Sequence, residues 1–351
     1  MTTEVRLFTP LGVPLADINV APVASHIIND VGDASFTISV EDYNAQEKNI
    51  QFGNILLINH DQLPSWIGFI DPIAGREWGA GEITIHALSA ERIFEERIVF
   101  PEKMQGTNGA ILKRLLSNML TSSDGGIKVY PGDIYMGGPN NVYPYLGRAR
   151  EVMDRLAKKG KCDWSITHEL VQGRIRLYAN LYHGERGETK ERVLDARNTK
   201  LASPIYTEEG EIWNHVVFMK ALSSAGEIRI SKAWRDEDSI GRYGLKMYLG
   251  EANTDDETAL DWQARAWLYD HAYPRGITMP DIVNYDDTFA DIALGNKYRW
   301  ENHGIEFSDW LINSGDLVRL TGFEVDYGAA SVAATVESTR KPFDIWELFN
   351  A

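Results

Sequence analysis

Asn29-Asp-Val-Gly-Asp-Ala-Ser-Phe-Thr-Ile-Ser-Val40 sets the period on which the chain is read. A polar turn holding Gly32 leads into a stretch where Phe36, Ile38 and Val40 alternate with Ser35, Thr37 and Ser39. That is the period of a half-buried strand. The same period runs from Val5 to about Phe100, in short apolar runs broken by Gly, Pro, Asn and Asp. Strands are expected at Asn54 to Asn59, Ser65 to Asp71 and Glu82 to Leu88, the last with Ile83, Ile85 and Ala87 on one face. This spacing suits a small antiparallel barrel or sandwich.

After Pro101 the period becomes helical. Ile111, Leu112, Leu115, Leu116, Met119 and Leu120 predict a helix over 109–120, stopped by Thr121-Ser-Ser-Asp-Gly-Gly126. A Gly/Pro-rich loop is expected at 131–144, followed by a second helix with Leu146, Ala149, Val152, Met153, Leu156 and Ala157 as its stripe. Lys158, Lys159 and Gly160 stand where cations and a left-handed glycine close a helix. Trp164 to Leu170 and Arg174 to Leu181 predict a hairpin turning at Gln172-Gly173. Residues 101–200 thus form a compact α/β insertion. Strands are expected again at Glu211 to Ala221 and Gly226 to Trp234. Thr254-Asp-Asp-Glu257 is a capping box for a third helix, with Leu260, Gln263, Ala264, Trp267, Leu268 and His271 on one face and Pro274-Arg-Gly276 as its end. The last third returns to β structure at Ser314 to Gly322, Phe323 to Tyr327 and Ser331 to Ser338.

Composition excludes several classes. The 351 residues carry 51 acidic against 35 basic side chains, a formal net charge of −16, which opposes a general phosphate-binding surface. The longest apolar runs, such as Asn54-Ile-Leu-Leu-Ile-Asn59, are strand-sized, far short of the roughly 20 residues of a membrane helix, so no membrane insertion is expected. The opening Met-Thr-Thr-Glu-Val-Arg lacks the charged and apolar regions of a secretory signal, so export by that route is not expected. Cys162 is the one cysteine, which excludes an intramolecular disulfide framework and a zinc site of several thiolates.

Motifs for chemistry are sparse. The eight histidines include no pair at the spacing that sets two imidazoles on one helix face. Gly75-Arg-Glu-Trp-Gly-Ala-Gly81 leads into a strand instead of a helix, so it reads as a hairpin loop and not a phosphate cradle. No cofactor is implied. Paired carboxylates are the strongest enzyme hypothesis: a glycosidase or cell-wall-degrading enzyme on a β scaffold would need two acids facing one cleft. Glu208, Glu209 and Glu211, then Asp236, Glu237 and Asp238, then Asp286 with Asp287 are the candidates. The first two clusters have a plainer reading as solvated loops flanking strands, and Asp255-Asp256-Glu257 nearby is explained by the helix dipole. A sugar platform of exposed aromatics is a third possibility, and core packing is the plainer role for most of the ten tryptophans.

Four stretches resemble one family. Asn29 to Val40 resembles its early strand, and Asn54 to Ile58, Leu63-Pro-Ser-Trp-Ile-Gly-Phe-Ile-Asp71 and Gly81 to Ile93 are similar to the strands that lead to its insertion. Ile111-Leu-Lys-Arg-Leu-Leu116 with Arg148 to Leu156 and Asp163-Trp164 resembles its helix, helix, strand insertion, and Gly315-Asp-Leu-Val-Arg-Leu320 its exit before a closing β pair. The family is the tail-tip and baseplate hub proteins of tailed bacteriophages. The resemblance implies an α+β, mainly β chain with two β-barrel-like domains, at 1–100 and 275–351, an α/β insertion at 101–200, and a β-hairpin plus helix domain at 201–274. It implies a non-enzymatic virion protein assembled in the host cytoplasm. As a homotrimer it would set six barrels in a ring and so mate with a hexameric tail tube. Partners would be the tail tube or distal tail protein ring, tip, fibre or spike proteins, and the tape measure protein. Little chain follows Phe343, so a hub without an appended fibre, peptidase or lysozyme module is expected. Genomic DNA would pass through the channel unbound, for which an acidic wall suits better than a basic one. Glu208, Glu209, Asp286 and Asp287 are candidates for that wall, and Trp300, Trp310 and Trp346 for exposed interface anchors.

Overall fold

The computed structural model describes residues 3–72, 75–122, 126–195, 197–200, 207–209, 212–221, 228–252, 256–272, 275–278, 280–283, 288–301 and 317–339. The chain opens with β1 (Thr3–Phe8), β2 (Pro14–Ile18), β3 (Val23–Ile27), β4 (Asp33–Ser39), helix α1 (Val40–Gln46), β5 (Ile55–His60), β6 (Trp66–Ile70), β7 (Arg76–Trp78) and β8 (Glu82–Ser89). The alternation predicted for 34–40 is present: Phe36 and Ile38 are buried, and Val40 starts α1, where the Ser39 hydroxyl caps Asp42 N–H. Ile83, Ile85 and Ala87 likewise point into the core from β8, which pairs antiparallel with β4.

The insertion holds α2 (Ile93–Glu96), β9 (Ile98–Gly106), α3 (Asn108–Ser122), β10 (Val129–Ile134), β11 (Asn141–Arg148), α4 (Ala149–Lys158), β12 (Trp164–Val171) and β13 (Arg174–Leu181). The segment 131–144, expected as a loop, carries strand residues at both ends. Leu146, expected at the head of the second helix, lies in β11 against Glu102 of β9, and the helix starts at Ala149. An apolar residue three before a helical stripe fits either period, and cross-strand pairing decided it. The hairpin β12–β13 turns at Gln172-Gly173, both with positive φ (53° and 75°), as a two-residue turn requires.

After β14 (Thr189–Leu194), β15 (Thr199–Lys200) and β16 (Thr207–Glu209) comes a small sheet of β17 (His215–Ala221), β18 (Ile228–Ile230), β19 (Trp234–Arg235) and β20 (Met247–Glu251), with α5 (Glu237–Tyr243) before β20 and α6 (Glu257–His271) after it. Helix α6 is capped by Asp256, whose side chain accepts from Ala259 N–H, so it starts two residues after the capping box read from Thr254. Arg275 and Gly276, expected to end that helix, lie in β21 (Arg275–Thr278). The chain closes with β22 (Asp281–Ile282), β23 (Lys297–Trp300), β24 (Leu317–Asp326) and β25 (Ser331–Thr339). Residues 317–326, expected as the parts of two strands, form one with an irregularity between Leu320 and Gly322.

The class is α+β and mainly β. Strands from the two ends of the chain share one sheet: β24 pairs with β3, and sixteen described strands run from β15 and β22 through β25, β24, β3, β4, β8, β6 and β5 to β1 and β2. Among the described residues neither end closes on itself. Each covers the other's open strand edge, which would otherwise leave a row of unpaired backbone groups. Their shared core joins Phe36, Trp66 and Ile85 to Leu194, Trp300, Val318 and Val336.

Strand β5 explains how the insertion sits. Its run Ile55-Leu-Leu-Ile58 is apolar at every position, which means burial on both faces. Leu56 and Ile58 face the shared core, whereas Ile55 and Leu57 face a second core with Leu112, Leu116, Met153 and Leu156 of the insertion helices. A third, smaller core joins Val216 and Phe218 of β17 to Leu260 and Ala264 of α6.

Candidate functional site

The turn quoted first also holds the insertion to the sheet. Asn29, at φ 57°, lies between β3 and β4 and reaches across: its Nδ2 donates to Asp163 Oδ1 at 2.7 Å, and its Oδ1 accepts Trp164 N–H at 2.7 Å. Asp163 Oδ2 accepts Arg186 N–H at 2.6 Å and pairs with the Arg319 guanidinium from β24, both partners buried. Arg319 also faces Glu337 at 3.7 Å and Glu185 at 3.9 Å, and Lys297 holds Glu185 at 2.8 Å. Arg186 continues the link by donating from Nε to Leu294 O at 2.9 Å, and burial pushes its pKa down. Three parts of the chain, at 29, 163–186 and 319–337, are thus tied by charge-assisted bonds in a poorly hydrated place, where such bonds are strong.

Two clefts flank this junction. One, of 260 Å³, is lined by His26, Trp66, Glu91, Thr167 and His168. Burial drives three of its titratable groups towards neutrality: His26 is pushed down to about 3, His168 downward, and the Glu91 carboxyl upward. His26 stacks on Phe323 at 4.5 Å, and among the described residues its buried Nε2 has no hydrogen-bond partner. The other cleft, of 420 Å³, lies between Arg150 and Asp154 of α4, Tyr269 of α6, and Arg319 with Glu337 of the sheet. Its carboxylates are engaged: Asp154 and Asp30 with Arg150, and Asp163, Glu185 and Glu337 with Arg319. This arrangement holds parts together. Among the described residues no group of three or more His, Cys, Asp or Glu could hold a metal ion, and no helix is long and apolar enough to cross a membrane. The Cys162 thiol is buried and pushed up to about 12, with Asn108 Nδ2 donating to it at 3.2 Å.

A surface of another kind lies on the small sheet. Its register sets Met219 opposite Ile230, Ala221 opposite Ile228, Val217 opposite Leu249 and His215 opposite Met247. These residues share the face turned away from α6. Ile228, Ile230, Met247 and Leu249 on it are 55%, 60%, 59% and 62% exposed. The inner face is closed by Val216 and Phe218, with Tyr248 stacked on Trp267 at 4.5 Å. Gly250 makes room there, since a Cβ at that position would lie 2.6 Å from the Phe218 ring. Contiguous exposed aliphatics of this kind mark an interaction surface.

The residues singled out from sequence fall differently. Trp300, expected as an exposed anchor, is a correction: it is 2% exposed, in the shared core, because β23 lies between β14 and β24 with the indole facing inward. Glu208 and Glu209 lie in β16, opposite Gly276 and Arg275 of β21. Asp286, Asp287, Trp310 and Trp346 lie outside the described residues. Asp236 is the N-cap of α5, accepting Ser239 N–H at 2.8 Å, and Glu237 and Asp238 stand in its first turn, where the helix dipole favours acids. Sequence reading missed the Asn29–Asp163–Arg319 junction. Its one local signal was a charge inside an apolar strand, Leu317-Val-Arg-Leu320.

No family model matches the chain, and no curated protein matches it in sequence. Solved structures do. The prophage tail protein gp18 of Listeria monocytogenes EGD-e superposes with a TM-score of 0.59 at 10% identity, covering 99% of this chain and 97% of that one. A tail protein of Neisseria meningitidis MC58 gives 0.59 at 12% identity, covering 97% of each chain. The 43 kDa tail protein of prophage MuSo2 from Shewanella oneidensis gives 0.55 at 12% identity, covering 96% of this chain and 98% of that one. The chain therefore has, over nearly its whole length, the fold of the phage tail proteins it is similar to.

Proposed function

We propose that this chain is a structural protein of a phage tail: a homotrimeric hub of the tail tip or baseplate that joins the hexameric tube to the tip and lines the DNA channel. The observation that carries this reading is the full-length superposition in both directions, which leaves neither chain a large unmatched domain. In this reading the parts are 1–100, 101–200, 201–274 and 275–351, with the first and last presenting the strands that mate with the tube. The partners are the tail tube or distal tail protein ring above, tip, fibre or spike proteins below, and the tape measure protein within. The chain would work in the virion, assembled in the host cytoplasm. The net charge of −16 supports a lumen that repels DNA and lets it slide. Glu208, Glu209, Asp286 and Asp287 are the first positions to test there, with Trp310 and Trp346 as contact anchors.

Light scattering on the purified chain, followed by particle imaging, tests the assembly: rings of three chains around an open channel are expected. A stable monomer that also fails to trimerise on purified tube ends would overturn it. Replacing carboxylates that imaging places on the lumen by Lys should slow DNA ejection, and unchanged ejection would reject the charge argument.

A further inference from the structure

The chain as a whole has a net charge of −16, yet residues 148–161, which are α4 with its two ends, carry six basic against two acidic side chains. Arg155 and Lys159 stand one helical turn apart, with Lys159 N–H donating to Arg155 O at 3.0 Å, and Lys158 lies exposed beside them. Lys158 lines the second cleft opposite Ala266 and Tyr269 of α6, the helix that packs on β17. Lys220 follows Val216 and Phe218 on the face of β17 that α6 covers, and its charge reaches Lys159 from that side. We propose that Arg155, Lys158, Lys159 and Lys220 form a docking surface for an acidic, carboxylate-rich peptide segment of a partner protein. The inference goes beyond the hub reading and does not depend on it.

Three observations support it. The first is that these cations are unpaired. Among the described residues none of the four makes an ion pair, whereas Arg150 on the same helix is held by Asp30 and Asp154. The second is repulsion within the cluster. Lys159 is half-buried, and its pKa is pushed down by burial first and then by Arg155 and Lys220, against the pull of Glu251. Like charges gathered in this way cost the free chain stability, and an incoming anion relieves them. The negative end of the α4 dipole accounts for lysines at the helix end. It does not account for Lys220, which a different element brings there. The third is the kind of anion. A long polyanion such as DNA meets the field of the whole molecule, at −16, and is repelled. A short acidic segment meets only the charges within a screening length of about 8 Å at physiological salt, and at this surface cations prevail.

Isothermal titration of the full chain with an acetylated hexaglutamate amide tests the surface. In about 20 mM salt, where screening extends to about 20 Å, Lys158→Gln, Lys159→Gln and Lys220→Gln together should weaken binding by about tenfold, the product of three modest surface pairs. Lys48→Gln, Lys103→Gln and Lys128→Gln change the net charge equally at exposed positions elsewhere, and should leave binding within about twofold of the parent chain. Equal losses in the two triple variants would mean that net charge alone governs binding and would overturn the proposal, as would a parent chain that does not bind the peptide. A single-stranded oligonucleotide of the same charge that binds as tightly as the peptide would also overturn it, since the surface would then read phosphates. Lys159→Met keeps the aliphatic stem, so it should raise the urea midpoint of the free chain while weakening the peptide. A lowered midpoint would show that the Lys159 charge stabilises the free chain, and would reject the unpaired cluster on which the proposal rests.

Discussion

Asp163→Ala would leave the buried Arg319 guanidinium without its closest carboxylate and Arg186 N–H without an acceptor. Breaking one side of a buried pair costs about 3–5 kcal/mol, so the denaturation midpoint should fall by that equivalent, and Asp163→Asn, which keeps an acceptor, should cost less. A midpoint shift below about 1 kcal/mol, the order of magnitude expected for an exposed pair, would mean that solvent reaches the junction. His26 gives a pH signature. Burial holds its pKa near 3, so between the unfolded value of about 6.5 and that limit the unfolded chain takes up a proton that the folded chain refuses. Stability should therefore fall as pH drops through this window, by about 1.4 kcal/mol per pH unit from this group. His26→Phe, stacked on Phe323 in the same place, should flatten the profile below pH ~6.5 relative to the parent chain. Parallel profiles for the two proteins would show that His26 is not the group responsible.

At the scale of elements, β5 makes the sharpest test because neighbouring side chains serve different cores. Leu57→Ala and Leu56→Ala should each cost about 2–5 kcal/mol. In hydrogen exchange, the first should loosen α3 and α4, and the second should loosen β4 and β8, whose side chains share the core with Leu56. The same exchange pattern in both variants would contradict a two-sided strand. The helix ends make a smaller test. Asp256→Ala removes the side-chain acceptor for Ala259 N–H and should cost about 1 kcal/mol, measured by urea unfolding.

For the whole molecule, the pairing of β24 with β3 joins residues 23–27 to 322–326. Val325, fully buried at that seam, faces Ala24, so Val325→Asp would place an unpaired carboxylate where both ends of the chain meet. Amide protection in β1 to β8 and in β24 and β25 should then be lost together, since one core serves both. Retained protection in the N-terminal strands alone would show that they fold independently of the C-terminal ones. The shared sheet also gives the proposed trimer a rigid platform, with the insertion clamped to it at Asp163 rather than hung from a flexible linker.

The sequence by itself determined the local elements. Alternation at 34–40 and 82–88, the helical stripe at 109–120, the Gln172-Gly173 turn and the all-apolar run 55–58 each follow from side-chain periods and backbone preferences that act over a few residues. The fold class and the order of elements were legible on the same basis. Tertiary structure alone decided the rest. Leu146 became a strand residue because β9 was there to pair with it, and Trp300 turned inward because β14 and β24 flanked its strand. Asn29, Asp163 and Arg319 became one site although 134 and 156 residues separate the linked pairs. A charge inside a strand shows that a partner is needed. Which partner it finds depends on how sheets and insertions pack, and no local period carries that information.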